Sequence, residues 1–116
     1  ILIAEDDETS EMLLEIELSK YSCEIFKART GLEAVEMMSK HKDLDLVLMD
    51  IQMPVLNGYD ATKKIRTFNS KVIIIAQTAY GLLGDREKAI EAGCNDHIAK
   101  PINRNALKEI LQSFFN

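Results

Sequence analysis

The chain has 116 residues, which is enough for one domain and too few for two. Its net charge of −5 argues against a nucleic-acid-binding surface, because such surfaces are usually basic. No apolar run approaches the roughly 20 residues that span a bilayer, and no signal peptide is recognisable. We therefore predict one domain over residues 1–116, located in the cytoplasm and without direct contact with nucleic acid or membrane.

The two cysteines, Cys23 and Cys94, are far apart and form no Cys-x-x-Cys or Cys/His metal-binding pattern. We expect structural thiols in a reducing compartment. The first residue is Ile1 rather than Met, and it lies inside an apolar run. This favours an excised piece of a longer protein.

Five short apolar runs alternate along the chain with five segments that could each form a helix. The strands are predicted at Ile1–Ala4, Cys23–Ala28, Leu44–Met49, Val72–Ala76 and His97–Ala99. Strict alternation of strand and helix predicts a parallel sheet covered by helices on both faces. The third and fourth runs are continuously apolar, as is typical of strands buried on both sides. The expected fold class is α/β.

The helical segments carry apolar stripes that predict which face of each helix meets the sheet. In chain order these stripes are Leu14, Leu18 and Tyr21; Ala34, Val35 and Met38; Ala61, Ile65 and Phe68; and Leu107, Ile110, Leu111 and Phe114. Gly93 is placed to end the fourth helix, and Asn103 is placed to cap the fifth.

The first helix has more apolar residues than one core face requires. Met12 and Ile16 lie four residues apart and point away from the predicted core stripe, with Leu13 at one flank. One interpretation is scattered surface hydrophobes, which are common. The other is a docking patch for a helical partner, to which Met and Ile side chains would adapt well.

Polar residues follow four predicted strands, at the edge where the carboxyl ends of parallel strands meet and ligands bind. In strand order they are Glu5, Asp6 and Asp7; Asp50; Thr78; and Lys100 with Pro101. Carboxylate oxygens without His or Cys ligands suit a hard cation such as Mg²⁺. Such a site suits phosphoryl transfer, in which a carboxylate can act as the nucleophile. Thr78 could then donate to one phosphoryl oxygen, and Lys100 could pair with another.

Each of these residues alone has a simpler explanation. A lone acidic residue at a strand end is usually solvated or caps the next helix, and Asp7 fits this role beside Glu8 and Thr9. Thr78 alone is more often a turn residue, and Lys100 alone is more often a solvated charge. Their joint order along four strand ends favours a functional site.

With these motifs in place, the sequence resembles the response regulator receiver family over essentially the whole chain. The motifs are the first strand with its acidic residues (Ile1–Asp7), the segment Met49–Pro54 followed by Asn57 and Gly58, the pair Thr78 and Ala79, and the pair Lys100 and Pro101. The resemblance implies a doubly wound, flavodoxin-like, five-stranded parallel sheet in the order 2-1-3-4-5, with five helices. It also implies a cis peptide bond before Pro101.

The resemblance further implies a role for each site residue. Asp50 would accept a phosphoryl group from phosphohistidine. Asp6 would bind Mg²⁺ directly, Glu5 would bind it largely through water, and the backbone carbonyl of Gln52 would supply a third protein ligand. The implied catalytic set is Asp50, Thr78 and Lys100, and the implied metal set is Glu5, Asp6, Asp50 and Gln52.

Two positions depart from the commonest family pattern. His97 stands where many members carry the Tyr or Phe that rotates inward on phosphorylation, so an aromatic switch of the usual kind is in doubt. Tyr80 lies two residues after Thr78, at a position that with Gln52 flanks the path of attacking water. A bulky ring there could shield the acyl phosphate.

The residues of these motifs resemble those in the receivers of hybrid sensor histidine kinases, notably at Asp50–Pro54, Gly58 with Tyr59, and Asn95–Pro101. The expected partners are then a histidine kinase or a histidine phosphotransfer domain, and the parent protein could be membrane-anchored. The alternatives are a stand-alone or output-linked response regulator and, more remotely, a haloacid-dehalogenase-type phosphatase. That phosphatase family requires Asp-x-Asp, whereas this chain has Gln52 at the second acidic position. A degenerate receiver that only binds is disfavoured by the retained acidic, hydroxyl and Lys residues.

Overall fold

The computed structural model describes residues 1–21, 24–78 and 84–115. Within these residues, five strands alternate with five helices. They are β1 (Leu2–Ala4), α1 (Glu8–Leu18), β2 (Phe26–Ala28), α2 (Gly31–Lys40), β3 (Leu46–Asp50), α3 (Gly58–Arg66), β4 (Ile73–Thr78), α4 (Asp85–Ala92), β5 (Asp96–Ala99) and α5 (Arg104–Phe115). All neighbouring strands are parallel, in the order β2-β1-β3-β4-β5. The expected fold class and strand order are confirmed.

The central strands β3 and β4 extend further toward the site than the apolar runs predicted. β3 includes Asp50 and β4 includes Thr78, so both residues are the last of their strands rather than the first of the following loops. β2 begins at Phe26, and Cys23, which was predicted to begin it, lies outside the described residues. All five residues of β3 are buried, as expected for a central strand of a parallel sheet.

Side chains alternate across the sheet and form a separate core on each face. One face packs against α2, α3 and α4, and its strand residues include Leu2, Ala4, Val47, Met49, Ile74 and Ala76. The other face packs against α1 and α5, and its strand residues include Ile3, Leu46, Leu48, Ile75 and Ile98, with Ile1 just before β1. By this alternation, Asp50 and Gln77 belong to the face covered by α1 and α5.

The predicted helix stripes are confirmed for most of their residues and wrong for Tyr21, Phe68 and Phe114. The buried members are Leu14, Leu18, Ala34, Met38, Ala61, Ile65, Leu107 and Leu111. Tyr21 is 50% exposed and Phe68 is 44% exposed, because α1 ends at Leu18 and α3 ends at Arg66. Helical spacing therefore no longer aims these two rings at the sheet. Phe114, near the end of α5, is also 36% exposed.

Local hydrogen bonds fix where the helices begin and end. Asp7 caps α1 by accepting from the backbone N–H and the hydroxyl of Ser10, so its predicted capping role is confirmed. Gly93 ends α4 with φ 112°, and Asn103 caps α5 by accepting from the N–H groups of Asn105 and Ala106. Among the described residues, no helix is long and apolar enough to cross a membrane.

Candidate functional site

Backbone hydrogen bonds continue past the strand ends and fix the residues of the site. The Glu5 N–H donates to the Ala28 carbonyl at 2.9 Å, and the Ile51 N–H donates to the Gln77 carbonyl at 3.1 Å. The Lys100 N–H donates to the Thr78 carbonyl at 2.7 Å. The sheet thus holds the carboxyl ends of its strands side by side, as the sequence predicted.

Three carboxylates meet at this edge. Glu5, Asp6 and Asp50 each offer an oxygen, and these oxygens lie within 4.8 Å of one another. Glu5 and Asp50 are buried, whereas Asp6 is exposed, so a cation could reach the cluster from the solvent side of Asp6. Oxygen donors at this spacing fit a hard divalent cation such as Mg²⁺.

Lys100 lies against the two buried carboxylates. Its Nζ is 2.7 Å from Oε1 of Glu5 and 3.1 Å from Oδ2 of Asp50. The peptide bond between Lys100 and Pro101 is cis, as expected. The ammonium offsets the repulsion between the two carboxylates, which would otherwise be costly at a buried position.

Burial and the neighbouring charges shift the pKa values of both Glu5 and Lys100. Burial raises the pKa of the Glu5 carboxyl, and Asp50 raises it further, while Lys100 lowers it. Burial alone disfavours the charged form of Lys100, but its contacts with Glu5 and Asp50 outweigh this effect, so the pKa of Lys100 is raised. Lys100 is therefore an ammonium ion at neutral pH.

The second oxygen of Asp50 is held by the loop that follows β3. The Gln52 N–H donates to Oδ1 of Asp50 at 3.2 Å, which leaves the carboxylate held from both sides. The Gln52 side chain is exposed. Metal binding by the Gln52 carbonyl stays a prediction.

The position after this loop, occupied by Gly58, has no room for a side chain. Its N–H donates to the Ile51 carbonyl at 3.0 Å. A Cβ at this position would overlap the Asp50 carbonyl oxygen and lie 2.8 Å from Cα of Ile51. Asn57, just before it, caps α3 by accepting from the Asp60 N–H at 2.9 Å. The start of α3 is therefore packed directly on the backbone of Asp50.

Thr78 places a buried hydroxyl at the end of β4. It is 3% exposed, and its Oγ1 has no hydrogen-bond partner among the described residues. A buried donor of this kind usually has a partner, so the hydroxyl is available to a ligand. Ala79 and Tyr80 lie outside the described residues. Shielding of the acyl phosphate by the Tyr80 ring therefore stays a prediction.

His97 lies on β5 opposite Ala76 of β4. Its backbone N–H donates to Oδ1 of Asp96 at 2.8 Å, whereas its Nδ1 is 3.8 Å from the same oxygen, too far for a hydrogen bond. Its role in a switch stays a prediction.

Sequence reasoning did not single out two buried polar residues on this side of the molecule. Gln77 is fully buried on β4, and Glu11 is buried on α1, where Arg29 pairs with it at 3.2 Å. A polar residue directly after the apolar run Val72–Ala76 was the available signal for Gln77. The ion pair between Glu11 and Arg29 joins residues 18 positions apart. No local sequence pattern could therefore have predicted it.

Comparison with known proteins gives consistent results. The sequence profile described as the response regulator receiver domain matches residues 1–112. Hybrid signal transduction histidine kinase I of Dictyostelium discoideum is 38% identical, over 97% of this chain and 7% of that protein. The chain thus spans a small part of that relative.

Two solved structures share the fold and a substantial part of the sequence. The receiver domain of sensor histidine kinase PA1611 from Pseudomonas aeruginosa PAO1, with a magnesium ion in its active site cleft, has a TM-score of 0.85 at 39% identity. The match covers 97% of this chain and 93% of that one. A co-crystal structure from Saccharomyces cerevisiae contains the histidine phosphotransfer signaling protein Ypd1 and the receiver domain of response regulator Ssk1. It gives a TM-score of 0.85 at 34% identity, over 99% of this chain and 91% of that one.

The fold, the acidic edge of the sheet and these matches agree over nearly the whole chain. They favour the receiver interpretation over the phosphatase alternative, whose second acidic position is Gln52 here. The chain belongs to the response regulator receiver family and is the receiver domain of a two-component phosphorelay.

Proposed function

We propose that Asp50 accepts a phosphoryl group from a phosphohistidine and that Mg²⁺ is required. The observation that carries this proposal is the convergence of Glu5, Asp6 and Asp50 within 4.8 Å, with Lys100 Nζ 3.1 Å from Asp50. Asp50 ends a central strand at the edge where parallel sheets bind ligands.

The donor set supports a role for Mg²⁺. Asp6 is exposed and would bind the ion directly, whereas Glu5 is buried against Lys100 and would bind it largely through water. The Gln52 carbonyl would be a third protein ligand. When bound, Mg²⁺ offsets the negative charge of the carboxylates and of the incoming phosphoryl oxygens.

The residues of the chain account for the transfer itself. A carboxylate oxygen of Asp50 forms a bond to phosphorus while the bond from phosphorus to the donor imidazole nitrogen breaks, and the electron pair leaves with that nitrogen. The product is an acyl phosphate on Asp50 and a free histidine on the donor. Thr78 Oγ1 would donate a hydrogen bond to one phosphoryl oxygen, and the Lys100 ammonium would pair with another.

Intact-mass measurement after incubation with acetyl phosphate and Mg²⁺ tests the acceptor. We expect one phosphoryl adduct on the wild type and none on Asp50→Asn, whose fold should be retained because one buried negative charge is removed. Asp7→Asn is the matched control, since Asp7 caps α1 and Asn can replace it as a cap. An adduct that persists on Asp50→Asn contradicts the assignment.

We further propose a histidine phosphotransfer domain as the docking partner, at the exposed face of α1. Met12, Leu13 and Ile16 are 56%, 62% and 60% exposed there. Leu13 and Ile16 border a cavity of about 460 Å³ between α1 and the connection from β5 to α5, which Lys100 also lines. The apolar surface therefore adjoins the acceptor site, and the yeast relative is solved with such a partner.

The similarity to a hybrid histidine kinase supports a parent chain of that kind, which would phosphorylate this domain from the cytoplasmic side of a membrane. A stand-alone or output-linked response regulator is the alternative. Co-expression with the adjoining parts of the parent chain, followed by phosphate tracing from ATP to Asp50, would distinguish the two arrangements.

A further inference from the structure

Gln77 is a fully buried amide that the proposed chemistry does not use. It is 0% exposed, and neither Oε1 nor Nε2 has a hydrogen-bond partner among the described residues. Leaving a buried polar group unpaired costs about 1–3 kcal/mol. The preceding residues of β4 are apolar, so packing alone would favour an apolar side chain here. The amide therefore needs another explanation.

The position of Gln77 connects it with the acceptor. It lies opposite Asp50 in the register between β3 and β4. Side-chain alternation places Gln77 on the same face as Ile75, and Asp50 on the same face as Leu48, and both faces meet α1 and α5. Neighbouring parallel strands are about 4.8 Å apart, so the long Gln77 side chain can reach the carboxylate cluster.

Gln77 is also close to Lys100. Both residues line the cavity of about 460 Å³ beneath α1, where Leu13, Leu14 and Ile102 provide apolar walls. The residue after Gln77 accepts the backbone hydrogen bond of Lys100 at 2.7 Å. Gln77 and Lys100 thus line one largely apolar space.

We propose that Gln77 is a positioning residue that accepts a hydrogen bond from the Lys100 ammonium when a divalent cation engages Glu5 and Asp50. The inference rests on the proposed function. An ammonium ion has three donors, and that of Lys100 lies 2.7 Å from Oε1 of Glu5 and 3.1 Å from Oδ2 of Asp50. A cation on these carboxylates repels the ammonium and draws their oxygens away. The neutral oxygen of Gln77 then holds Lys100 beside Asp50 until the phosphoryl group arrives.

Titration calorimetry with Mg²⁺ tests this role without measuring transfer. In Gln77→Met the side chain keeps its length but cannot accept the bond. We expect the Kd for Mg²⁺ to rise about tenfold, since hydrogen bonds to charged groups contribute more than neutral ones. Ile75→Met is the matched control on the same strand and face, and its Kd should change less than about twofold.

A double-mutant cycle separates positioning from packing. In a Lys100→Met background, adding Gln77→Met should leave the Kd for Mg²⁺ within about twofold, because the ammonium to be positioned is gone. An equal loss of affinity in both backgrounds would show that Gln77 acts through packing and would overturn the proposal. So would wild-type affinity in Gln77→Met.

Two further measurements make the outcome decisive. Thermal unfolding without Mg²⁺ should show Gln77→Met at least as stable as the wild type, because an unpaired amide is removed, and Gln77→Leu should repeat the affinity loss. If the wild type itself bound no Mg²⁺, the proposed function and the role of Gln77 would both fail. Normal wild-type binding with unchanged variants would overturn the role of Gln77 alone.

Discussion

At the scale of single residues, the backbone of Asp50 is packed so closely against residue 58 that this residue must be glycine. A Cβ on Gly58 would overlap the Asp50 carbonyl, a backbone atom that cannot rotate away. We predict that Gly58→Ala destabilises the fold by about 1–3 kcal/mol, the usual cost of overpacking. It should also slow phosphorylation of Asp50 by a small donor, because the acceptor must shift. Urea unfolding and timed intact-mass measurements check the two effects.

Gly84→Ala is the control for this prediction. Gly84 has φ 93° at the start of α4, and a Cβ there would meet no atom of the described residues within 4 Å. The substitution should cost about 1–2 kcal/mol of backbone strain and leave the rate of phosphorylation unchanged. Equal rates for Gly58→Ala and the wild type would show that the acceptor tolerates the displacement.

Cys94 is a structural thiol whose chemistry is suppressed by its surroundings. It is 5% exposed, and burial raises the pKa of its thiol, outweighing the opposing effects of Thr62 and Arg66. In a Cys23→Ser variant, we predict that Cys94 reacts with a disulfide reagent at least about a hundredfold more slowly than in denaturant, since reaction needs local opening. Absorbance at about pH 8 follows the reaction, because unfolded thiols are then partly ionised.

The raised pKa also fixes the direction of a pH effect on stability. The unfolded thiol loses its proton at a lower pH than the folded one, so the contribution of Cys94 is complete below the ordinary thiol pKa. It is lost as pH rises toward the folded pKa. Wild type should therefore lose more free energy of unfolding between about pH 8 and pH 10 than Cys94→Ala does. An identical loss in both proteins would contradict the assignment.

At the scale of elements, α1 carries two apolar faces with different uses. Leu14 and Leu18 are buried against the sheet, whereas Met12 and Ile16 are more than half exposed. The exposed pair lies on the side of the helix away from the core and is therefore not needed for folding. This separation allows the docking proposal to be tested without disturbing the core.

We predict that Met12→Ser combined with Ile16→Ser weakens phosphoryl transfer from a histidine phosphotransfer domain by at least about tenfold, as loss of an apolar interface centre usually does. Phosphorylation by acetyl phosphate and the melting temperature should be nearly unchanged, because both residues are exposed. Transfer from the phosphorylated partner, followed by gel electrophoresis, measures the effect.

Leu32→Ser is the matched control for α1. Leu32 is 46% exposed at the start of α2, so its replacement also removes exposed apolar surface, but on another helix. Transfer to this variant should equal transfer to the wild type. A large loss of melting temperature in the α1 double variant would assign Met12 and Ile16 to the core and place docking elsewhere.

At the scale of the whole molecule, the alternation of elements and the strand order could be predicted because the signals are local or implied by the resemblance. Apolar runs mark buried strands wherever they occur in the chain. The positions of Tyr21 and Phe68 could not be predicted, because where a helix ends depends on its cap and the following turn. The distance between Glu5 and Asp50 could not be predicted either, since it depends on register and on Lys100 drawing both carboxylates together.

Arg66 joins three parts of the molecule and supplies a test at this scale. Its guanidinium donates to the Gly93 carbonyl at 2.8 Å, to the Asn69 carbonyl at 3.2 Å and to Oδ1 of Asn95 at 2.8 Å. Lys has no such planar fork and can keep about one of the three bonds, so we predict that Arg66→Lys costs about 2 kcal/mol of unfolding free energy, roughly 1 kcal/mol for each of the two lost bonds. Urea unfolding checks this, and exposed Lys63→Ala on the same helix should cost much less.

The close contact at Gly58 is one of two by which α3 connects distant parts of the fold. The first turn of α3 packs against the backbone of Asp50. At the other end of α3, Arg66 donates hydrogen bonds to Gly93 and Asn95, where α4 ends and β5 begins. A helix of nine residues is a stiff rod of about 13 Å. A displacement of Asp50 along the axis of α3 would therefore act on the connection between α4 and β5, to which Arg66 donates. The helix α3 thus joins the proposed acceptor to a part of the fold outside the carboxylate cluster.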